Sequence, residues 1–414
     1  MNHSDIVISG AGPAGLATSL FLSNAGIRHT IIDKASFPRD KICGDALSGK
    51  VVSILNKIDR NLIEEISSMK EMFAPSYGVS FFAPNGKRLD VPFASDIKKL
   101  KYAPGFIASR LDFDNFLFNK SQSPYADFHL NTSLEKVEKT TGGLKLTLNK
   151  SGQKNTIDCK LLIGAEGERS ITAKYLSPLT KNLNFYCAGL RVYYEGVSDC
   201  HDEGFIELHF LDNLLPGYFW IFPMTNGRTN VGIGMLSSVV SSLKVNLKKE
   251  LSDIITNHPV ISKRFSSAKA ISPVEGWGLP LGSSRRNLSG NNFLLTGDAG
   301  SLIDPFTGEG IGNAMLSGKI ASEIIREALE ANRFDESFLK KYDEQIYHAL
   351  GKELNLSYRM QKLATRKWLF NFVVNKALKN AALREMITSM FEDIDLREKL
   401  KKPGFYFRLL FNGK

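Results

Sequence analysis

Two glycine-rich turns, one cysteine and three alternating aromatic residues carry most of the chemistry open to this 414-residue chain. The first turn is Gly10-Ala-Gly12-Pro13-Ala14-Gly15. Gly10 permits a tight turn, Gly12 lets the backbone approach a pyrophosphate, and Gly15 lets a helix pack closely on a strand. The opening N–H groups of such a helix, with its partial positive charge, attract phosphate. Asp33 stands eighteen residues past Gly15, with Lys34 beside it. An acid there can bind both hydroxyls of an adenosine ribose. The second turn lies far along the chain, in LLTGDAGSLIDPFTGEGIGNAM. Gly297-Asp298 can accept hydrogen bonds from sugar-alcohol hydroxyls. Pro305, Gly308, Glu309, Gly310 and Ile311 open a new helix, whose N–H groups suit a ring carrying negative charge. Cys43, in FPRDKICGDALSGK, is either an acid or hydrogen-bond donor, or a small residue that allows close approach. Tyr218, Trp220 and Phe222 alternate, so they project from one face of a strand as an aromatic wall or as ordinary sheet core.

These residues need elements to hold them. Residues 5–9 read as a buried strand, 13–25 as a helix closed by Gly26, and 29–32 as a second strand ending at Asp33, a βαβ unit. Residues 54–72 read as helix, 73–102 as short strands broken by prolines, and 112–120 as a helix capped by Asp112. Strand-like alternation covers 134–148 and 156–164, and 185–235 reads as a mostly antiparallel sheet. Residues 244–258 read as helix, 293–296 as an apolar strand, 311–329 as helix, and the remainder to about residue 395 as amphipathic helix. The fold expected is α/β with an α+β insertion: a Rossmann-like domain interrupted by an antiparallel-sheet domain. The boundaries expected are 1–72, 103–175 and 286–350 for the cofactor domain, 73–102 and 176–285 for the substrate-binding sheet, and 351–414 for a C-terminal helical region. An acid at position 33 disfavours a 2′-phosphate and leaves FAD or NAD. NAD has no ribityl chain and no anionic ring, so the second turn selects FAD.

Composition is that of an ordinary globular chain, 43% hydrophobic and 23% charged. No apolar run approaches the roughly 18 residues that span a bilayer. The first strand starts at once, with no signal peptide before it, so a cytoplasmic location is expected. Four scattered cysteines without a C-x-x-C pair argue against a zinc site or a disulfide framework. The net charge of +10 is concentrated late: residues 360–414 hold twelve Lys or Arg against five Asp or Glu. That segment also carries WLFNFVV and GFYFRLLF, a mixture that suits the inner face of an anionic membrane, or a solvated helix, better than nucleic acid.

With these motifs the chain resembles the FAD-dependent oxidoreductases of the para-hydroxybenzoate hydroxylase fold, from residue 5 to about residue 328. The resemblance implies a middle motif at GAEGERS, where Glu166 stands for the family's aspartate, and a cofactor-reaching arginine at Arg110. Val137, Cys43 and Gly44 complete the residues expected near FAD. Within the fold, Lys41-Ile-Cys43-Gly44 is similar to geranylgeranyl reductases, whereas flavin-dependent halogenases have Gly-Glu-Ser there. Pro216, Tyr218, Trp220, Phe222 and Pro223 resemble the reductases' Pro-x-x-Tyr-x-Trp-x-Phe-Pro motif, one residue short between Pro216 and Tyr218. The resemblance implies that reduced FAD saturates carbon–carbon double bonds of an isoprenoid or similar lipid, with Cys43 as the catalytic candidate and Tyr218, Trp220 and Phe222 as substrate contacts. The electron donor would be external: NAD(P)H, ferredoxin or similar. Two other activities share the FAD motifs: hydroxylation of an aromatic or lipid substrate by a monooxygenase, and electron transfer to quinone.

Overall fold

Buried runs of β-branched and apolar residues make the central strands of a parallel sheet, as expected where helices cover both faces. The computed structural model describes residues 3–94, 96–380 and 384. Ile6–Ser9 is buried throughout and pairs in parallel with Leu161–Gly164 on one side and His29–Ile32 on the other. Phe293–Leu295 extends the sheet beyond Leu161–Gly164, and Ala126–His129 extends it beyond His29–Ile32. Ser289–Gly290 closes one edge antiparallel. A three-stranded antiparallel sheet, Thr132–Thr140, Gly143–Lys150 and Gln153–Cys159, shares an apolar core with Val7, Ile32 and Leu162. The helices Pro13–Asn24 and Ile311–Ala331 pack through small residues: a Cβ on Gly318 would lie 2.5 Å from the Ala14 carbonyl oxygen. This is the first of two compact units, and it comprises 1–41, 110–186 and 279–358.

The second unit comprises 42–109, 187–278 and the described residues from 359 onward. Its large sheet runs Lys269–Ala270, Tyr186–Glu195, Arg228–Leu236, Tyr218–Pro223, Ile206–His209, Gly78–Phe82 and Arg88–Pro92. Pairing is antiparallel except between Ile206–His209 and Gly78–Phe82. One face buries Val192, Phe219, Ile221, Val231 and Ile233 against the helices Leu247–Asn257 and Ile261–Arg264.

The α/β class with an inserted, mostly antiparallel sheet is as read from the sequence. Details differ. The segment 42–72, read as part of the cofactor domain, clusters with the second unit and forms two helices, Gly49–Ile58 and Asn61–Ser68, because Asp59 breaks the run in extended conformation. The helix read from 112 starts at Arg110, which moves Asp112 from the cap into the first turn, where a carboxylate still favours the helix dipole. The late helical region is Glu336–Ala364 followed by Lys367–Lys379. Its expected continuation to about 395, and the GFYFRLLF segment, lie outside the described residues.

Candidate functional site

The two glycine turns meet. Gly297, at φ +57, is wedged between the two helices: a Cβ there would lie 3.0 Å from the Ala314 Cβ and 3.3 Å from the Ala14 Cβ. Gly10, at φ +101, lies against the middle motif, where a Cβ would meet the Ala165 carbonyl oxygen at 2.4 Å. A Cβ on Gly15 would meet the Gly10 carbonyl oxygen at 1.9 Å. At Gly12, by contrast, the nearest atom to an added Cβ is Arg39 Nη2 at 3.8 Å. Of the three, only this glycine would accept a Cβ without a close contact, which fits a residue that a pyrophosphate approaches. Gly12 caps the helix without a side-chain partner, and Pro13 fills the first helical position.

Asp33 is buried and accepts from Ala11 N at 2.7 Å through Oδ2 and from Ala35 N at 2.9 Å through Oδ1. A carboxylate offers about four acceptor directions, so capacity for two ribose hydroxyls remains. Lys34 is exposed beyond it. Arg39, which the sequence reading passed over, reaches back across the turn. It donates to the Ala11 carbonyl at 3.0 Å and to Asp114 at 3.0 Å, and lies 3.7 Å from Asp33. Asp114 also takes both arms of Arg110, at 2.6 and 2.7 Å. Arg110 is therefore no surface ion pair: it and Asp114 are 2% and 0% exposed. Arg110 and Arg39 share Asp114, Asp33 also lies near Arg39, and the Arg39 guanidinium stands at the turn beside the helix N-terminus, where a diphosphate would bind.

At the second turn, Asp298 Oδ2 accepts from Lys41 Nζ at 3.1 Å, and its Oδ1 lies 3.7 Å from where a Gly310 Cβ would be. The loop into the second helix is fixed from within. Asp304 accepts from Phe306 N, Thr307 N and Thr307 Oγ1, while Glu309 accepts from Gly312 N at 2.6 Å. Burial, then the nearby Glu353, raises the Asp304 carboxyl above its ordinary range. Gly308, at φ +75, lets Pro305 to Ile311 turn into the helix. The N–H end of that helix therefore stands beside Asp298, held by neighbours that do not need to move.

Glu166 and Val137, which the resemblance implies near FAD, both have side chains engaged within the first unit. The Glu166 carboxylate accepts from Ser170 Oγ, Thr172 N and Thr172 Oγ1, and burial raises it above the ordinary range. It braces the start of the Ile171–Leu176 helix, whose N-cap is Ser170. Val137 lies in the core of the three-stranded sheet.

The remaining candidates lie in the second unit, on the sheet face opposite the helices. Register aligns Tyr218 with Gly234, Trp220 with Gly232 and Phe222 with Asn230. Because strand neighbours on one face are aligned this way, Trp220 lies over a glycine stripe: a Cβ on Gly232 would fall 2.3 Å from its Cζ2. Tyr218 packs on Phe210 at 5.6 Å between centroids. The Cys43-Gly44-Asp45 turn belongs to this face, since a Gly44 Cβ would lie 3.2 Å from Phe222 Cε2. Asp45 is buried at φ +68, a left-handed conformation that Asp tolerates better than most residues. Cys43 is half-buried, whereas burial pushes the thiols of Cys159 and Cys187 up to about 12. Among the described residues no group of three His, Cys, Asp or Glu side chains could hold a metal.

Known proteins are similar to this chain over most of its length. The model of the FAD binding domain family matches residues 3–346. Over 366 residues the chain is 29% identical to the digeranylgeranylglycerophospholipid reductase of Methanococcus vannielii, covering 87% of each. It is 27% identical to the menaquinone reductase of Mycolicibacterium smegmatis, over 78% of this chain and 76% of that one. A crystal structure of a geranylgeranyl bacteriochlorophyll reductase-like protein from Thermoplasma acidophilum superposes with a TM-score of 0.79 at 21% identity, over 97% of this chain and 99% of that one. A flavin-dependent brominase superposes with a TM-score of 0.78 at 18% identity, over 94% and 93%. These two structures share the fold. Gly12, the buried acid Asp33 and the converging second turn thus stand in a chain that belongs to the FAD binding domain family, an FAD-dependent oxidoreductase resembling the geranylgeranyl reductases.

Proposed function

We propose that this enzyme reduces carbon–carbon double bonds of an isoprenoid lipid, and that its first unit holds FAD while its second holds the substrate chain. The observation that carries this reading is the aromatic face of the second unit. Trp220 over Gly232, flanked by Tyr218 and Phe222, makes an apolar face whose indole N–H is satisfied from within by Asn230, which suits a polyprenyl chain. The names of the relatives support it: reductases of a digeranylgeranyl lipid and of menaquinone both act on molecules with isoprenoid chains.

The residues divide the work. Gly12, the Pro13–Asn24 helix end and Arg39 would bind the diphosphate of FAD, and Asp33 the adenosine ribose. Asp298 and Lys41 would bind the ribityl chain, and the N-terminus of Ile311–Ala331 would stabilise charge on the ring. When bound, FAD supplies two-electron hydride chemistry, loaded by an external donor such as NAD(P)H or ferredoxin. Reduction adds a hydride to one alkene carbon and a proton to the other; Cys43, half-buried on the aromatic face, is the proton-donor candidate. No described helix is long and apolar enough to cross a membrane. The helix Lys367–Lys379 instead carries Trp368 and Phe372, 68% and 49% exposed, beside Lys367 and Lys376, and we assign it contact with an anionic membrane surface.

The test is mass spectrometry of a polyprenyl lipid after anaerobic incubation with chemically reduced holoenzyme. Gain of hydrogens in pairs is expected. An unchanged lipid that acquires one oxygen atom when air is admitted would instead identify a monooxygenase, and rapid quinone reduction with no change in the lipid skeleton an electron carrier.

A further inference from the structure

One polar hub in the second unit is absorbed by none of the roles above. Asn230 is fully buried on the aromatic face, aligned with Tyr193 on one neighbouring strand and Phe222 on the other. Its side chain makes three hydrogen bonds. The carbonyl oxygen accepts from Trp220 Nε1 at 2.8 Å, and the amide nitrogen donates to the Cys43 carbonyl at 2.9 Å and to Asp45 Oδ2 at 2.8 Å. The amide cannot be reversed: an indole N–H only donates and a backbone carbonyl only accepts, so each end of Asn230 has one chemically allowed partner. Tyr193 adds a hydroxyl to the same Asp45 oxygen at 2.5 Å. The backbone of Asp45 is pinned as well, by Ala108 N at 3.1 Å.

The chemistry of the position is narrow. It needs one acceptor and two donors in a small planar group, which a carboxamide provides. A leucine of similar size offers neither, and an aspartate keeps the acceptor while losing both donors. We infer that Asn230 is a positioning residue that locks the Trp220 indole and the Cys43-Gly44-Asp45 turn into a single arrangement. Through its two donated bonds, the orientation of the turn, and with it the Cys43 thiol, depends on Asn230. Its importance for catalysis rests on the reductase reading; its effect on Cys43 does not.

The experiment uses FAD-loaded protein and three variants: Asn230→Leu, Asn230→Asp and, as a control that keeps the amide, Trp220→Phe. The rate of Cys43 carboxamidomethylation by iodoacetamide is followed by peptide mass spectrometry across pH, without turnover. Asn230→Leu is expected to change that rate about tenfold or more at every pH, because both buried hydrogen bonds to the turn are lost. Asn230→Asp sets two carboxylates side by side. The groups facing it are Asp45 and Tyr193, with Arg191 stacked on Tyr193 at 4.2 Å and Glu275 3.5 Å from Arg191. Two such carboxylates share one proton once the pH is low enough. The Asp variant should therefore behave like the Leu variant at high pH and return towards wild type as the pH falls. Trp220→Phe should leave the Cys43 rate within about twofold of wild type, because the donors to the turn remain. Wild-type rates in both Asn230 variants, or one constant offset in Asn230→Asp at all pH values, would overturn the inference. If Asn230→Leu does not fold, the pH profile of Asn230→Asp decides alone. Lipid reduction assayed on the wild type bears on the reductase reading and not on this one.

Discussion

At the residue scale, the three glycines of the first turn are distinguishable by what a methyl group would meet. Gly15→Ala places a Cβ on the Gly10 carbonyl and should destabilise the fold by about 1–3 kcal/mol, read by thermal unfolding. Gly12→Ala meets no close protein atom and should cost the ligand-free fold about 0.5 kcal/mol at the helix cap. It should nonetheless weaken FAD binding about tenfold or more, because the methyl stands where the diphosphate would approach, and a flavin fluorescence titration measures this. The glycines were legible in the sequence because their spacing is local. Arg39, Asp114 and Asn230 were not: Arg39 meets Asp114 across 75 positions and Asn230 meets Cys43 across 187, and no short motif records such partners. Glu166 was legible as a motif residue but not as a brace for the next helix, since Ser170 and Thr172 could as well have faced solvent.

At the element scale, the glycine stripe of Arg228–Leu236 makes the aromatic wall flat. Gly232→Ala would push a Cβ into the Trp220 ring and the Leu190 carbonyl at 2.3 and 2.1 Å. The expected outcome is a red-shifted indole emission together with a loss of lipid turnover larger than any loss of FAD affinity. On the opposite face, Arg264 pairs with Glu207, which also accepts from His209. Burial alone would raise Glu207, but the hydrogen bonds from His209 and Arg264 hold it below 4.5. Burial lowers His209 below 6.5 despite Glu207. In both cases the unfolded chain binds more protons, so this cluster's stability is complete above about pH 6.5. It is lost as the pH falls, first through His209 and then through Glu207. Thermal unfolding of His209→Asn against pH should show a shallower fall below pH 6.5. Arg264→Met should cost about 3–5 kcal/mol, because it leaves a buried carboxylate with its guanidinium gone. Alternation made the sheet legible in the sequence. The break at Asp59 and the start of the helix at Arg110 were less so, because capping depends on backbone angles that residue type only biases.

At the scale of the whole molecule, the proposed reaction assigns FAD to one unit and the lipid to the other. The exposed pair on the Lys367–Lys379 helix bears on how a lipid reaches the enzyme. Trp368→Ala combined with Phe372→Ala should reduce co-sedimentation with anionic vesicles about tenfold while leaving turnover of detergent-dispersed lipid unchanged. Equal binding of wild type and variant to anionic and neutral vesicles would remove the membrane assignment. The measurement that bears most directly on the central claim is anaerobic stopped-flow mixing of the reduced holoenzyme with a polyprenyl lipid, followed by flavin absorbance. Oxidised flavin should reappear without oxygen, one flavin for each pair of hydrogens gained by the lipid. Flavin that stays reduced until oxygen or a quinone is admitted would contradict it.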